Sequence, residues 1–245
     1  MGDSVMKIRA VIFDVYGTLM QVGPPPAKAD ELWQALFQEV FSKAPPMTRL
    51  NFSLACNRAI MLRHNAAHAR GIPKPEIVWP SIVAEVLPAF VKLKPDAQSD
   101  FIYRQIQIGR SLALMPGMAA TLRWLVDKRC VLGIASNAQA YTLVELENLL
   151  KGGGLNLGIF TPYLCIWSFQ QGFSKPDPHI FQILRARLEA RQLNPNETLV
   201  VGDRLDNDVA PAQAQGFHTW HLHPASPEKK SGPAEKLREF LVHSI

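Results

Sequence analysis

The sequence has 245 residues, 47% of them hydrophobic and 19% charged, which suits one large domain or one domain with an insert. This composition excludes a disordered or collagen-like chain. Most of the formal charge of +5 lies in one segment of the chain, because residues 20–113 hold 11 Lys or Arg against 7 Asp or Glu. No run of five like charges occurs, which argues against a nucleic-acid partner.

The beginning of the chain predicts neither a signal peptide nor a membrane-spanning helix. Its first apolar run, Ala10 to Phe13, is short, and an acid stands before it at Asp3. Three widely spaced cysteines, Cys56, Cys130 and Cys165, form no Cys-x-x-Cys pattern, which is typical of reduced thiols. We therefore expect a cytoplasmic protein with no membrane partner.

In chain order, the first half predicts one buried strand and then helices. Lys7 to Asp14 is apolar and β-branched and ends in a Gly turn, as a strand of a parallel sheet does. From Ala27 to Ala113 only helical spacing follows, and four helices are predicted: Asp30 to Lys43, Leu50 to Arg70, Ile77 to Phe90, and Asp96 to Leu112. A stripe of Trp33, Phe37 and Phe41 is interpreted as core packing of this unit.

The second half alternates helix and strand signals. The predicted helices are Met118 to Lys128, Ala140 to Leu150, Pro178 to Ala190, and Asn207 to Gln215. The predicted strands are Val131 to Ala135, Leu164 to Ser168, Thr198 to Val201, and His218 to Leu222. The fold class is therefore α/β, a doubly wound parallel sheet with helices on both faces, interrupted by a helical insert. Such a sheet binds ligands at the carboxyl ends of its strands.

Polar residues stand at those strand ends: Asp14, Ser136-Asn137, Lys175, and Asp203 with Asp206 and Asp208. They supply a carboxylate nucleophile, hydroxyl and amide donors, a cation, and acids that can hold a hard divalent metal. Clustered carboxylates repel one another unless a cation such as Mg²⁺ neutralises them. Phosphoryl transfer suits this set, because it depends on positioning and on neutralising negative charge.

Four motifs resemble, in order and spacing, those of the haloacid dehalogenase-like (HAD) hydrolase superfamily. They are Phe13-Asp14-Val15-Tyr16-Gly17-Thr18-Leu19, Ala135-Ser136-Asn137, Ser174-Lys175-Pro176-Asp177-Pro178, and Val201-Gly202-Asp203-Arg204-Leu205-Asp206-Asn207-Asp208. The helical insert resembles the C1 cap of that superfamily. This resemblance implies a Rossmann-like core over residues 1–19 and 114–245, with a four-helix cap over residues 20–113.

The resemblance also implies roles for single residues. Asp14 would attack the substrate and form a covalent aspartyl intermediate, with Lys175 restraining it. Substrate and phosphoryl oxygens would be bound by Val15, Tyr16, Thr18, Ser136, Asn137 and Lys175. Mg²⁺ would be bound by the carboxylates of Asp14, Asp203 and Asp208 and by the backbone carbonyl of Tyr16. The expected partner is a small anionic substrate, a phosphorylated metabolite.

Tyr16 departs from the phosphatase pattern and leaves three functions open. Phosphatases of the superfamily usually carry a second Asp here, and a phenol is a poor base at neutral pH. The Asp-x-Tyr-Gly-Thr form resembles 2-haloacid dehalogenases, which work without metal, whereas Gly202-Asp203 resembles phosphatases. We expect a phosphatase; a dehalogenase and a weakly active binding protein are the alternatives.

Other polar residues have structural interpretations. Asp177 and Pro178 are expected to be the N-cap and first residue of a helix, and Asp206 a solvent residue. His64 and His68 are four apart on a helix, and we expect a solvated face there. The chain is expected to be a monomer or homodimer, with the cap and an exposed Pro224 to Pro233 tail as contact surfaces.

Overall fold

The computed structural model describes residues 7–223 and 230–245. Six parallel strands form the main sheet: β1 (Ala10–Phe13), β4 (Val131–Ser136), β5 (Cys165–Trp167), β6 (Thr198–Gly202), β7 (His218–Leu222) and β8 (Ser231–Gly232). The spatial order is β5-β4-β1-β6-β7-β8, so the chain leaves β1 toward one edge of the sheet and later returns to build the other. The order reverses between β1 and β6, which makes the gap between their carboxyl ends the expected ligand site.

Helices cover both faces of this sheet. They are α5 (Met118–Asp127), α6 (Ala140–Gly152), α7 (Ser168–Gln171), α8 (Pro178–Glu189), α9 (Ala210–Ala214) and α10 (Ala234–Val242). Side chains of β1 alternate between two hydrophobic clusters, with Val11 and Phe13 packed on the face of α5, α6 and α10, and Ala10 and Ile12 on the face of α8 and α9. The predicted α/β, doubly wound sheet is confirmed.

Four further helices follow β1 and pack on one another: α1 (Ala29–Phe41), α2 (Arg49–His68), α3 (Trp79–Val86) and α4 (Pro95–Gly109). They enclose a separate hydrophobic cluster. Trp33 and Phe37 are buried in it, and their rings lie 4.6 Å apart. Phe41 packs against the same cluster, so the prediction that this stripe is core packing is confirmed.

The prediction that residues 27–113 are helical throughout is wrong at its end. Helix α4 stops at Gly109, and residues Ser111–Leu114 form strand β3, which pairs antiparallel with β2 (Met20–Gly23). The four residues of β3 alternate between exposed and half-buried positions, a period of two that suits a ribbon. Helix α3 is also shorter than predicted, because Leu87 precedes Pro88 and a residue before proline is disfavoured in a helix.

The expectation of an exposed stretch from Pro224 to Pro233 is confirmed at Lys230, which is exposed, and is wrong at Ser231 and Gly232. Residues 224–229 lie outside the described residues, but Ser231 and Gly232 are buried as the edge strand β8. Strand β8 and helix α10 were not predicted. In residues 7–223 and 230–245, no helix is long and apolar enough to cross a membrane.

Candidate active site

Strand β1 carries Asp14 to the gap between β1 and β6. The Asp14 N–H donates to the carbonyl of Val201 at 2.9 Å, so pairing with β6 continues one residue past Phe13. The chain then turns through Gly17, whose φ is +82°. A Cβ at Gly17 would overlap the carboxylate of Asp203, so glycine is needed both for this φ and for the close approach of Asp203.

Three carboxylates meet beside this turn. One oxygen from each of Asp14, Asp203 and Asp208 lies within 4.8 Å of the other two. Asp208 is on a π-helical turn, Leu205–Val209, that follows β6, and it packs so closely on Gly202 that any Cβ there would overlap it. The helix predicted from Asn207 therefore begins differently: the π-helical turn precedes α9 and directs Asp208 to the cluster.

The ammonium group of Lys175 lies between two of these carboxylates. Its Nζ donates to Asp14 Oδ1 at 2.7 Å, to Asp208 Oδ1 at 2.5 Å and to the carbonyl of Ala135 at 2.7 Å. Asn137 fixes the backbone of the same residue, since Lys175 N donates to Asn137 Oδ1 at 2.7 Å and Asn137 Nδ2 donates to Lys175 O at 2.9 Å. The second, third and fourth motifs thus meet at Asp14.

Negative charge exceeds positive charge in this cluster. Burial, together with the neighbouring Asp208, raises the pKa of Asp203. Burial and Asp14 also raise the pKa of Asp208, although Lys175 lowers it. Burial lowers the pKa of Lys175, but Asp14 and Asp208 outweigh this effect and the net shift is upward. One ammonium group thus faces three carboxylates, and an all-oxygen set of this kind can hold a hard divalent cation.

Two predicted phosphate-binding hydroxyls have no protein partner. Thr18 Oγ1 and Ser136 Oγ are both buried and make no hydrogen bond within the described residues. Ser136 directly follows Ala135, whose carbonyl accepts from Lys175, so it lies at the same end of the sheet. Leaving a buried hydroxyl unpaired costs free energy, and a bound oxyanion would supply the missing acceptor.

A cavity of about 190 Å³ opens over the carboxylates. Its lining residues are Asp14, Tyr16, Asn137, Lys175, Asp203, Arg204, Asn207 and Asp208. Of the predicted site residues, Val15, Thr18 and Ser136 are not in this lining. Val15 is fully buried in the core cluster, and its carbonyl accepts from the N–H of Met20 at 2.8 Å.

The phenol of Tyr16 is held by side chains from helix α6 and from the end of the helical unit. Its hydroxyl donates to Glu145 Oε2 at 2.6 Å and lies 2.8 Å from Thr142 Oγ1. Arg110 Nη2 donates to the same hydroxyl at 2.8 Å, and the Arg110 guanidinium lies 4.5 Å from the centroid of the Tyr16 ring. Gln107 Nε2 donates to Glu145 Oε1 at 2.6 Å. We call Tyr16, Gln107, Arg110, Thr142 and Glu145 the Tyr16 network.

Charge in the Tyr16 network is balanced within the protein. Arg110 Nη2 lies 2.8 Å from both oxygens of Glu145, whose side chain is fully buried. Burial and Glu145 raise the pKa of Tyr16 far above its ordinary value, although Arg110 lowers it. The phenol therefore stays protonated at neutral pH and cannot act as a general base.

Sequence reasoning did not find Glu145 or Arg110. The signal for Glu145 was its place on the apolar side of α6, where Thr142, Leu146 and Leu150 are buried. An acid on such a stripe predicts a buried partner. Arg110 carried no comparable signal, because it directly follows a helix end. Arg204 and Asn207 were also missed as lining residues of the cavity.

The structural interpretations of the remaining polar residues hold for Asp177, Asp206 and His68. Asp177 Oδ1 accepts from the N–H of His179 at 3.0 Å and caps α8, which begins at Pro178. Asp206 is exposed and pairs with Arg204 at 2.6 Å, outside the carboxylate cluster. His68 is also exposed, on α2. The prediction of a solvated face is wrong for His64, which is half-buried and whose Nε2 is buried without a hydrogen bond among the described residues.

Residues 8–216 match the family described as haloacid dehalogenase-like hydrolase. The chain belongs to this family and is a hydrolase by that membership. No curated protein matches the sequence.

Solved structures of the same fold include both dehalogenases and phosphatases. A 2-haloacid dehalogenase from Pseudomonas syringae pv. Tomato DC3000 matches with a TM-score of 0.61 at 20% identity, covering 96% of this chain and 98% of that chain. A HAD phosphatase from Thermococcus onnurineus matches with a TM-score of 0.55 at 20% identity, covering 97% of this chain and 99% of that chain. The HAD-hydrolase YfnB from Bacillus subtilis, bound to magnesium, matches with a TM-score of 0.57 at 20% identity, covering 96% of this chain and 99% of that chain. At these identities the likeness shows the fold.

Proposed function

We propose that this hydrolase is a Mg²⁺-dependent phosphatase that acts on a small phosphorylated metabolite through an aspartyl-phosphate at Asp14. The observation that carries the proposal is the cluster of three carboxylates, within 4.8 Å, that faces the single ammonium group of Lys175. A metal-independent reaction would leave this excess negative charge where an anionic substrate has to bind. A divalent cation removes that conflict.

The residues present fit Mg²⁺. Asp14, Asp203 and Asp208 offer carboxylate oxygens. The family resemblance adds the backbone carbonyl of Tyr16 as a fourth candidate ligand. When bound, the metal supplies positive charge that screens the substrate phosphate from the carboxylates and favours the charge of the transition state. The raised pKa values of Asp203 and Asp208 are the expected result for such ligands without their metal.

Asp14 is the nucleophile in the proposed reaction. Lys175 holds its Oδ1, and we assign the attack to Oδ2. A bond forms between this oxygen and phosphorus while the bond from phosphorus to the leaving oxygen breaks, and the leaving group departs with the electron pair. Water then attacks phosphorus, and the bond from phosphorus to Asp14 Oδ2 breaks with its electron pair on that oxygen. The proton of the water passes to the departed leaving group through solvent, inorganic phosphate is released, and the Asp14 carboxylate is restored.

One side chain, besides that of Lys175, supports the phosphoryl group directly in this proposal. The unpartnered hydroxyl of Ser136, which follows Ala135 at the same end of the sheet, would donate to its oxygens. Thr18 is fully buried outside the cavity lining, so the predicted contact of its side chain with substrate is not part of this proposal. Asn137 acts by holding the Lys175 backbone, because its side-chain Nδ2 donates to the carbonyl of Lys175 and its Oδ1 accepts from the N–H of Lys175. Val15 would contribute only backbone, because its side chain is in the core.

The hydrogen bonds of the Tyr16 hydroxyl limit the class of phosphate esters that the enzyme can hydrolyse efficiently. Its hydroxyl is occupied by Glu145, Thr142 and Arg110, so it does not protonate a leaving group. Losing a positioned acid/base typically costs about 10²- to 10⁴-fold in rate. The leaving groups of acyl and aryl phosphates are weak bases that depart with little or no help from an acid. These phosphates are therefore expected to react faster than alkyl phosphates.

A 2-haloacid dehalogenase is the second candidate, favoured by the same Tyr16 because halide leaves without a proton. The early arginines of the helical unit do not support it. Arg49 pairs with Asp30, Arg63 pairs with Glu85, and Arg58 is exposed. None of the three lines the cavity at Asp14. A weakly active binding protein is the third candidate.

The proposal includes a core of residues 1–19 and 114–245 and a C1-type cap of residues 20–113. The ribbon of β2 and β3 supports these boundaries, because the chain leaves and returns through its two strands. Free cysteines at 56, 130 and 165 support a cytoplasmic location. The partner is a small anionic substrate, and the protein is a monomer or homodimer.

Turnover of acetyl phosphate and p-nitrophenyl phosphate with Mg²⁺ tests the proposal. Asp14→Asn should abolish turnover, whereas Asp206→Asn, an exposed acid of the fourth motif, should not change it. EDTA should stop phosphatase turnover. Halide release from 2-chloropropionate that persists in EDTA would instead establish the dehalogenase, and equal phosphatase rates for wild type and Asp14→Asn would exclude the covalent mechanism.

A further inference from the structure

Arg204 is a second cation in the lining of the cavity at Asp14, beside Lys175. Its backbone N–H donates to Asp208 Oδ2 at 3.1 Å, which anchors the residue next to the carboxylate cluster. The hydrogen bond with Asp206 raises the pKa of the guanidinium, and the charges of Asp208 and Asp203 raise it further. The positive charge of Arg204 therefore acts on the same cavity as the three carboxylates.

Arg204 differs from Lys175 in having free hydrogen-bond donors. All three N–H groups of the Lys175 ammonium are used, on two carboxylates of the cluster and on the carbonyl of Ala135. Arg204 has five N–H donors and gives two of them to Asp206, from Nε at 3.1 Å and from Nη2 at 2.6 Å. Both side chains of that pair are more than half exposed, so the contact contributes little stability. The guanidinium is thus available to an anion in the cavity.

The contacts of Tyr16 require a leaving group that departs without a proton, because Glu145 holds the phenol proton. A phosphate leaving group meets this requirement, since it is a weak base whose conjugate acid has a pKa of about 6. It also carries negative charge before the reaction begins, and the planar fork of a guanidinium matches its oxygens. An acyl group meets the first requirement but brings no charge to Arg204 until the bond breaks.

We propose that Arg204 binds the leaving phosphate of a diphosphate, so that the substrate class is the phosphoanhydrides with a terminal phosphoryl group. This inference rests on the proposed phosphatase function. Asp14 Oδ2 forms a bond to the terminal phosphorus, and the bond from that phosphorus to the bridging oxygen breaks with its electron pair on the oxygen. The second phosphate leaves with this charge, which Arg204 neutralises, and no proton is transferred in the step.

The volume of the cavity favours a compact diphosphate. It is about 190 Å³, whereas drug-sized ligands usually occupy about 300 to 1,000 Å³. Inorganic pyrophosphate and a nucleoside diphosphate share the chemistry that Arg204 would bind, but the nucleoside would have to lie outside this cavity. We therefore expect inorganic pyrophosphate to be the better substrate of the two.

Steady-state hydrolysis with Mg²⁺ tests the inference on inorganic pyrophosphate, ADP, acetyl phosphate and glycerol 3-phosphate. Arg204→Met removes the charge and the donors, and Arg204→Lys keeps the charge without the fork. Arg185→Met is the matched control, because Arg185 is also an exposed arginine paired with a carboxylate, that of Glu189. A measurement without turnover is the calorimetric Kd of methylenediphosphonate, whose P–C–P bridge is not hydrolysed, compared with that of inorganic phosphate.

In wild type, kcat/KM for pyrophosphate should exceed that for glycerol 3-phosphate by at least about 10²-fold, because the alkoxide needs the missing acid. Arg204→Met should lower kcat/KM for pyrophosphate by about 10-fold and change that for acetyl phosphate by less than about 2-fold. This loss is at the lower end for a charge-assisted contact, because the Arg204 side chain is 57% exposed. The Kd of methylenediphosphonate should rise by about the same 10-fold, that of inorganic phosphate should stay unchanged, and Arg204→Lys should recover part of both losses.

Equal effects of Arg204→Met on pyrophosphate and acetyl phosphate would overturn the inference, as would an equally large effect of Arg185→Met. Hydrolysis of acetyl phosphate without hydrolysis of pyrophosphate or ADP would overturn it as well and would leave the proposed phosphatase intact. Failure to hydrolyse acetyl phosphate and both diphosphates would contradict the phosphatase itself. Faster turnover of pyrophosphate than of ADP assigns an inorganic substrate, the reverse assigns an organic diphosphate, and either result supports the role of Arg204.

Discussion

Tyr16 donates its hydroxyl proton to Glu145 at 2.6 Å, and this contact joins the nucleophile loop to helix α6. Tyr16 is only two residues after Asp14, where a catalytic acid would be expected in a phosphatase of this family. The structure gives the phenol a different environment, since Arg110 and Glu145 neutralise each other around it. Tyr16 therefore connects the two parts of the protein instead of exchanging protons with the substrate.

Replacing Tyr16 by Asp should not by itself create an efficient alkyl phosphatase. The new carboxylate would stand near Glu145 and repel it in a buried setting. We expect Tyr16→Asp to lower the Tm and to leave hydrolysis of glycerol 3-phosphate close to wild type. The double variant Tyr16→Asp, Glu145→Gln removes the repulsion and should raise that rate, by up to about 10²-fold.

The measurement is phosphate release together with the Tm of each variant. Glu145→Gln alone is the control, because it lacks the new acid. A large rate increase in Tyr16→Asp alone would show that Glu145 does not oppose an acid at this position.

Alkaline pH should weaken the fold through Tyr16. Burial and Glu145 raise its pKa in the folded protein, whereas in the unfolded chain a phenol titrates near about 10. The stabilisation is fully present below that value and is lost as the pH rises, because the unfolded chain releases its proton first. Each pH unit above it should lower the free energy of unfolding by up to about 1.4 kcal/mol.

Urea unfolding of wild type and Tyr16→Phe at pH 9, 10 and 11 measures this effect. The wild type should lose more stability than the variant over this range. Other buried groups with a raised pKa, such as Tyr141 with a pKa of about 12, are common to both proteins and cancel in the difference. Tyr163→Phe, at an exposed tyrosine, should behave as wild type. Equal losses in wild type and Tyr16→Phe would contradict the prediction.

Glu145→Gln should destabilise the protein strongly. It removes the buried partner of Arg110 and leaves that guanidinium uncompensated, which typically costs about 3 to 5 kcal/mol. Because Arg110 keeps 22% of its side chain exposed, we expect the lower end of this range. Glu189→Gln removes an exposed pair with Arg185 and should cost at most about 1 kcal/mol. Urea unfolding at pH 7 compares the two, and equal losses would show that the Tyr16 network is not a stabilising contact.

Asp203→Asn should stabilise the metal-free protein while removing its response to Mg²⁺. The raised pKa of Asp203 means that its charge opposes folding when no cation is bound. Relief of about 1 kcal/mol corresponds to a rise of about 2 to 4 °C in Tm. In wild type, Mg²⁺ should raise the Tm by mass action. Asp206→Asn is the control and should keep the Mg²⁺ response. A Mg²⁺ response retained in Asp203→Asn would contradict the proposed ligand set.

Much of the sheet could be predicted because buried parallel strands have a clear signature. The apolar runs that end at Asp14 and at Asp203 lie side by side as β1 and β6. Since parallel strands end at one edge of a sheet, the sequence placed Asp14, Lys175, Asp203 and Asp208 together before any distance was known. The hydrogen bonds of Lys175 to Asp14 and to Asp208 follow from that topology.

The ribbon and the Tyr16 network could not be predicted in this way. Residues 111–114 follow a helix without a break, and their strand form depends on pairing with Met20–Gly23, about 90 residues earlier. Such a pairing leaves little local trace, because tertiary contacts override weak local preferences. Glu145 and Arg110 likewise find Tyr16 only after the helical unit has packed on α6.

By itself, the sequence determined the α/β sheet, the helical insert, the family, and the four polar segments that meet at the strand ends. These are consequences of local periodicity and of chain order. The tertiary structure alone decided that Tyr16 is bonded to Glu145 and not available to the substrate, and that the Arg110 guanidinium lies over the Tyr16 ring. Both outcomes depend on side chains distant in sequence, whose partners are set by packing between the two parts of the chain.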